Sequence, residues 1–167
     1  MIRRARVDDA EALGLLHVRS WQVGYRGVLD SEFLDGLDVQ ARVKWFRRVI
    51  AIDTPVLVAD VHGGPVGFSM VGEARADDDA WGEIFSIYVD PDSWGQGHGH
   101  RLMISAEASM RDQGFDRALL WVVESNTRAR DFYERQGWVL GRPIRLEEIG
   151  GSQVTEVRYE RDLRVDV

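Results

Sequence analysis

The sequence predicts an α/β protein whose single domain spans residues 1–167. A length of 167 residues with 44% hydrophobic content suits one globular domain with a sizeable core. The first third carries helical patterns, whereas the rest alternates β-type runs with amphipathic stretches. Residues 82–110 contain a β-type run, a glycine-rich turn and a helical run in succession. These observations favour a sheet flanked by helices.

The N-terminal third is predicted to contain a short strand at residues 2–7 and two helical regions. Asp8 or Asp9 is placed to cap the first helix, which runs to about Val23. Its predicted buried stripe comprises Ala12, Leu13 and Leu16. In the second helical region, apolar residues recur every four positions, as one helix face requires: Ala41, Trp45 and Val49.

The middle of the chain is predicted to form a hairpin followed by a central strand. The β-rich runs at residues 55–61 and 65–73 flank His62-Gly63-Gly64, a favourable hairpin turn. The acidic segment Asp77-Asp78-Asp79 is interpreted as an exposed loop. The run at residues 82–90 is apolar on both faces, which is typical of a central strand.

After the glycine-rich turn, the pattern predicts two more helices and three more strands. The apolar residues of the first helix, which ends at Gly114, are Leu102, Met103, Ala106 and Met110. A strand follows at residues 117–124, and Asn126 is placed to cap a helix that ends before Gly137. The last predicted strands cover residues 138–141 and 154–160.

Composition argues against several functional classes. With 21 basic and 28 acidic residues the net charge is −7, which opposes general attraction to nucleic acid or anionic lipid. The chain has no cysteine and no apolar run long enough to span a membrane. We therefore expect a soluble, cytoplasmic protein with neither a nucleic-acid partner nor a membrane partner.

Three glycines at alternate positions, Gly95, Gly97 and Gly99, separate the strand run from the helical run. This spacing indicates either unusual backbone angles or a group packed against the chain. Where a strand turns into a helix, the first N–H groups lack helical partners, so phosphate oxygens can bind there. We predict a phosphate-bearing ligand held by the amides of Gly95 through Arg101. On spacing alone, a glycine turn without a ligand is the alternative.

Other ligand sites fit the loop less well. A dinucleotide fingerprint beginning at Gly95 requires glycine where the chain has His100, and the Gly-Lys-Ser/Thr of a P-loop is absent. His98 and His100 are two positions apart, which is not the spacing of a helical metal pair. No metal site is predicted.

Two separated segments, YVDPDSWGQGHGHRLM and NTRARDFYERQGW, together resemble the GCN5-related N-acetyltransferases (GNAT). The first matches the family's Gln/Arg-x-x-Gly-x-Gly/Ala loop at residues 94–99, and the second resembles its later Asn-x-x-Ala-x-x-Phe-Tyr-x-x-x-Gly-Phe/Trp segment at residues 126–138. Two motifs in this order are more specific than either alone. Trp94 departs from the usual Gln or Arg, but the amide cradle does not depend on that side chain.

The resemblance implies a central mixed, mostly antiparallel sheet flanked by helices, with acetyl-coenzyme A (acetyl-CoA) bound between two splayed central strands. The glycine loop would surround the pyrophosphate, and residues 87–89 would contact the pantetheine arm and thioester. The implied cofactor-binding residues are Ile87, Tyr88, Val89, Gly95, Gln96, Gly97, His98, Gly99, His100, Arg101, Asn126 and Tyr133.

Transfer of an acetyl group to an amine requires a neutral amine and protonation of the departing thiolate. The resemblance implies Glu83 as the base, acting through water, and an ion-paired or solvated strand-end carboxylate is an equal alternative. It implies Tyr133 as the acid, because a phenol with a pKa of about 10 is protonated at neutral pH. Packing beside Phe132 is the alternative role of Tyr133.

The expected function is acetyl transfer from acetyl-CoA to a primary amine of a small molecule or peptide. The alternative is a non-catalytic acyl-CoA sensor, and an enzyme acting on charged tRNA is disfavoured by the acidic balance. Trp21 and Tyr25 are candidate walls of the acceptor pocket, although helix core explains them as well. Three acidic residues could attract a cationic acceptor or form a solvated face: Asp30, Glu32 and Asp35. A homodimer is a candidate assembly.

Overall fold

The computed structural model describes residues 1–75 and 80–164, and their strands form one seven-stranded sheet. The helices are α1 (Ala10–Gly24), α2 (Ser31–Asp35), α3 (Val39–Ala51), α4 (His98–Asp112) and α5 (Thr127–Arg135). The strands are β1 (Ile2–Arg4), β2 (Val56–Val61), β3 (Gly64–Glu73), β4 (Trp81–Val89), β5 (Arg117–Val123), β6 (Val139–Ile149) and β7 (Ser152–Asp162). The loop predicted at Asp77-Asp78-Asp79 lies outside the described residues.

The sheet order is β1-β2-β3-β4-β5-β7-β6, and every neighbouring pair is antiparallel except β4 and β5. The predicted mixed, mostly antiparallel sheet is therefore confirmed, and so is the central position of the strand at residues 82–90. Because β4 and β5 are parallel, the chain must cross over between them, and α4 lies in that crossover.

The two central strands pair over only part of their length. Residues 81–84 of β4 pair with residues 117–120 of β5, and the strands diverge beyond them. On its other side, β4 has a bulge at Phe85, because Ile84 pairs with Val71 and Ser86 with Met70 of β3. A V-shaped gap thus opens in the middle of the sheet.

Helices pack on both faces of the sheet. Met70 belongs to the core under α1 and α3, whereas Val71 belongs to the core under α4 and α5. Since successive strand residues point to opposite faces, the two helix groups lie on opposite sides. A smaller cluster seats α2 against β5 and β7 through Leu34, Val123 and Val154.

The buried faces of α1 and α3 differ from those predicted. Leu13 and Leu16 are buried as expected, but Ala12 is exposed. Ala41 and Trp45 are exposed too, and α3 instead buries Val43 and Phe46. The reason is a close helix contact: a Cβ atom at Gly14 of α1 would lie 2.6 Å from Val43 Cγ2. Glycine at this position lets α3 turn Val43 toward α1.

Two further predictions are corrected at the ends of the chain. The Asp9 carboxylate accepts the Arg6 N–H at 2.6 Å and pairs with Arg3 at 2.7 Å, and it makes no hydrogen bond to cap α1. The last two strands are longer than predicted because they form one hairpin across Gly150-Gly151, whose φ angles are +56° and +79°. That glycine pair is a hairpin signal present in the sequence.

Candidate functional site

A cleft of about 510 Å³ occupies the gap between β4 and β5. It runs from the glycine loop, past residues 87–89 and Trp121, to Tyr25 at the end of α1. Gly95 and residues 97–100 of the loop line it, whereas Gln96 and Arg101 do not. The cleft thus passes through the sheet from the side of α4 to the side of α1, so that two molecules could meet inside it.

The three glycines of the loop serve two purposes. Gly95 and Gly97 have φ angles of +75° and +78°, and a Cβ atom at either would have open space around it. Gly99 lies inside α4, where a Cβ atom would be 3.3 Å from the ring of Phe132. Two of the glycines thus form the turn, and the third allows α5 to pack closely on α4.

The amides at the start of α4 are free over a shorter stretch than predicted. The Arg101 N–H donates to the Gly97 carbonyl at 3.1 Å and closes the first helical turn. It is therefore not part of an amide cradle, whereas the N–H groups of residues 95–100 donate to no backbone carbonyl within residues 1–75 and 80–164. The Arg101 guanidinium instead contacts the Gln96 carbonyl at 3.4 Å and His98 Nδ1 at 3.0 Å.

The end of the cleft at the glycine loop favours an anion. Arg128 and Arg135 line it, and no Asp or Glu from the described ranges does. Burial and the neighbouring Arg101 lower the pKa of His98, so this imidazole is neutral at pH 7. His100 Nδ1 and Gln136 Oε1 are 2.6 Å apart and join α4 to the end of α5.

Past residue 84, the edge of β4 that faces β5 pairs with no strand from residues 1–75 or 80–164. Residues 87–89 pair with β3 on the other side, and all three line the cleft. Val89 is an exception to this open edge, because its carbonyl accepts the Trp94 indole N–H at 2.8 Å. Unpaired strand groups of this kind can hydrogen-bond an extended ligand.

Asn126 and Tyr133 both line the cleft from the α5 side. Asn126 Oδ1 caps α5 by accepting the Ala129 N–H at 3.2 Å, which leaves the side-chain NH₂ group for a ligand. The Tyr133 ring is buried, yet its hydroxyl is accessible and forms no hydrogen bond within residues 1–75 and 80–164. Burial, with a smaller contribution from Tyr88, raises the pKa of this phenol, so it stays protonated.

Aromatic groups surround the other end of the cleft. Tyr25, Tyr88 and Trp121 line it, and burial raises the pKa of both phenols. Trp21 packs against Tyr25, with ring centroids 5.0 Å apart, but does not line the cleft. Trp121 was missed in the sequence because its run is also that of an ordinary buried strand.

Glu83 is buried on β4 but does not line the cleft. Its carboxylate accepts the Arg75 backbone N–H at 3.0 Å and forms an ion pair with the Arg75 guanidinium. Glu83 pairs with Leu119 of β5 and so shares the sheet face of Trp121, two residues further on. It lies on the aromatic side, toward the closed end of the V.

The acidic residues near α2 are mostly engaged elsewhere. Asp30 caps α2 by accepting the Phe33 N–H at 3.0 Å. Asp35 pairs with Arg26 at 2.8 Å. These contacts favour a structural role over the attraction of a cationic acceptor.

Comparison with known proteins identifies both a family and a fold. Residues 18–138 match the model of the acetyltransferase (GNAT) family. An uncharacterized N-acetyltransferase from Archaeoglobus fulgidus is 34% identical over 161 residues, which cover 90% of this chain and 97% of that protein.

Two crystal structures share the fold at low identity. An N-acetyltransferase from Staphylococcus aureus Mu50 has a TM-score of 0.77 at 20% identity over 98% of both chains. The PaiA N-acetyltransferase from Thermoplasma acidophilum, in complex with coenzyme A, has a TM-score of 0.74 at 20% identity, covering 97% of this chain and 98% of that one.

Proposed function

Because the chain belongs to the acetyltransferase (GNAT) family of acetyl-CoA-dependent enzymes, we propose that it transfers acetyl from acetyl-CoA to a primary amine of a small molecule or peptide. One observation carries the proposal. The divergence of β4 and β5 joins the free amides of α4 to the Tyr133 hydroxyl within one cleft that reaches both faces of the sheet. A donor and an acceptor can therefore enter from opposite sides.

We infer that the amides of residues 95–100 bind the pyrophosphate of acetyl-CoA. Helix N-termini favour anions, and the open space beside Gly95 and Gly97 lets phosphate oxygens approach the backbone. The unpaired edge of β4 at residues 87–88 would hold the pantetheine arm. Asn126 would contribute its amide NH₂ near the thioester.

In the proposed reaction, the amine nitrogen attacks the thioester carbonyl carbon, a C–N bond forms and the C–S bond breaks. We propose that Tyr133 donates its hydroxyl hydrogen to the departing sulfur. Its raised pKa keeps the phenol protonated but makes it a weak acid. A hydrogen bond that strengthens as charge develops on sulfur therefore suits it better than early proton transfer.

We retain Glu83 as the proposed acceptor of the amine's proton, through water. Its place on the sheet face of Trp121 supports this role, while its contacts with Arg75 work against it, because Arg75 donates to both carboxylate oxygens. An equal alternative is that Glu83 anchors Arg75 and solvent takes the proton. The pH dependence of turnover separates the two.

The proposed function is tested by asking whether the release of CoA thiol from acetyl-CoA depends on an added amine. Free CoA thiol is followed with acetyl-CoA and a panel of small amines and short peptides, with Tyr133→Phe as the matched variant. Amine-dependent release that falls in this variant supports catalysis. Binding of acetyl-CoA without release for any amine would instead favour the acyl-CoA sensor.

We further propose that residues 1–167 act as one domain and assemble as a homodimer through edge strand β6. Leu140, Ile144 and Leu146 share one face of β6 and are 46%, 65% and 75% exposed. In an antiparallel pairing of two copies centred on residue 145, Ile144 meets Leu146 and Arg142 meets Glu148. Light scattering on Ile144→Lys should report a monomer if the parent is a dimer.

The location of the protein in the cell remains a prediction. Within the described ranges, the helices are too short or too polar to cross a membrane. A cytoplasmic location is proposed because acetyl-CoA is the donor, and fractionation of cells would test it.

A further inference from the structure

Arg128, in the first turn of α5, is a cation in an unfavourable position. A helix dipole is positive at its N-terminus, and the first turn of α5 has no acidic residue to compensate. Arg128 forms no ion pair or hydrogen bond with residues 1–75 or 80–164. Partial burial lowers its pKa, with no carboxylate acting in the opposite direction. Its charge is therefore not neutralised by the described part of the chain.

Trp94 holds this guanidinium in place. The Arg128 Cζ atom lies 3.1 Å from the centre of the Trp94 ring. The indole is itself fixed, because its N–H donates to the Val89 carbonyl at 2.8 Å. Stacking on an aromatic face orders a guanidinium while leaving its N–H groups free at the edge of the plane.

The contact spans the mouth of the cleft. Trp94 belongs to the loop that follows β4, whereas Arg128 belongs to the helix that follows β5, and both residues line the cleft. They lie beside the glycine loop, whose helix offers free amides. An ordered, uncompensated guanidinium thus faces the region where anionic groups of the donor are expected.

We propose that Arg128, oriented by Trp94, binds a phosphate group of acetyl-CoA beside the glycine loop. The inference rests on the proposed function, which supplies the ligand. Coenzyme A carries a diphosphate and a 3′-phosphate, and the planar fork of N–H donors suits either. Trp94, where the family usually has Gln or Arg, then acts as the positioning residue for Arg128.

Calorimetric titration of CoA and dephospho-CoA, which lacks the 3′-phosphate, tests the assignment. The variants are Arg128→Met, Arg128→Lys and Trp94→Phe, and the control is Arg48→Met, which removes one charge from the exposed surface of α3. We expect Arg128→Met to bind CoA at least tenfold more weakly than Arg48→Met, with partial recovery in Arg128→Lys. If Arg128→Met weakens the binding of CoA but not of dephospho-CoA, Arg128 binds the 3′-phosphate. If it weakens the binding of both compounds equally, Arg128 binds the diphosphate.

Stability separates binding from packing. Removing a cation from the N-terminus of α5 should leave the thermal midpoint of the unliganded protein unchanged or higher. Two results would overturn the proposal. The first is a lower midpoint in Arg128→Met together with a CoA affinity that Arg128→Lys does not restore. The second is equal CoA affinity in Arg128→Met and Arg48→Met. If the parent binds neither compound, the proposed function itself fails.

Discussion

Lowering the pH from 7.5 to 5 should destabilise the fold through His17 of α1. This side chain is buried, and its ring stacks on Trp21 and Phe68 while Phe46 and Tyr88 meet it edge-on. Its Nδ1 atom is buried without a hydrogen-bond partner in the described part of the chain. Burial, with a contribution from Arg42, lowers its pKa from 6.5 to about 3. The folded protein therefore holds a neutral imidazole.

The sign and size of the effect follow from these two pKa values. Between pH 6.5 and 3 the unfolded chain binds a proton at His17 that the folded chain does not, so stability falls as pH falls through this window. Each pH unit is worth about 1.4 kcal/mol. At pH 5, which is roughly 1.5 units below the unfolded pKa, His17 alone should lower the free energy of unfolding by about 2 kcal/mol.

Urea unfolding followed by tryptophan fluorescence at pH 7.5 and pH 5 measures the loss. His17→Phe keeps an aromatic ring but cannot titrate, so it should lose about 2 kcal/mol less than the parent between the two pH values. The lowered pKa of His98 acts in the same direction in both proteins and cancels in the difference. His62→Asn, at an exposed turn, is the control and should behave like the parent. Equal losses in the parent and in His17→Phe would refute the reasoning.

Three further predictions concern the cleft. Gly97→Val forces a left-handed backbone on a β-branched residue and fills the space above the loop amides. The CoA affinity measured by calorimetry should therefore fall at least tenfold, which is about 1.4 kcal/mol. An unchanged affinity in a folded variant would place the phosphate elsewhere. Glu83→Gln should reduce turnover most at low pH, because fewer amine molecules are neutral there. A pH–rate profile that overlays the parent's would leave Glu83 as a structural partner of Arg75. Tyr133→Phe should lower single-turnover rates about a hundredfold with little change in the thermal midpoint, whereas parental rates would assign the ring to the core.

The sequence predicts the order of the main elements because hydrophobic period, turns and caps are local properties. The hairpin at His62-Gly63, the cap at Asn126 and the central strand at residues 82–90 all depend on a few neighbouring residues, and the structure confirms them. The glycine loop is also local, and it leads into a helix as predicted. The main segments of the candidate site could therefore be located from the sequence, whereas Trp121 could not.

Contacts between distant residues were not predictable in the same way. The Arg75–Glu83 ion pair joins two residues that no motif connects. The contact between Arg128 and Trp94 joins residues 34 positions apart, and each has an ordinary explanation by itself. Such pairs depend on how two elements are placed against each other, which a periodic pattern does not encode.

Gly99 shows how one residue links the two motifs that were recognised separately. A methyl group at Gly99 would meet the ring of Phe132 at 3.3 Å, so the absence of a side chain sets how closely α5 approaches α4. Tyr133 follows Phe132 on α5, and the free amides lie at the start of α4. The distance between the proposed phosphate cradle and the proposed acid is therefore set by this helix contact. A donor held by its pyrophosphate would meet the phenol at a spacing fixed by the packing of two helices, as the proposed single site for both motifs requires.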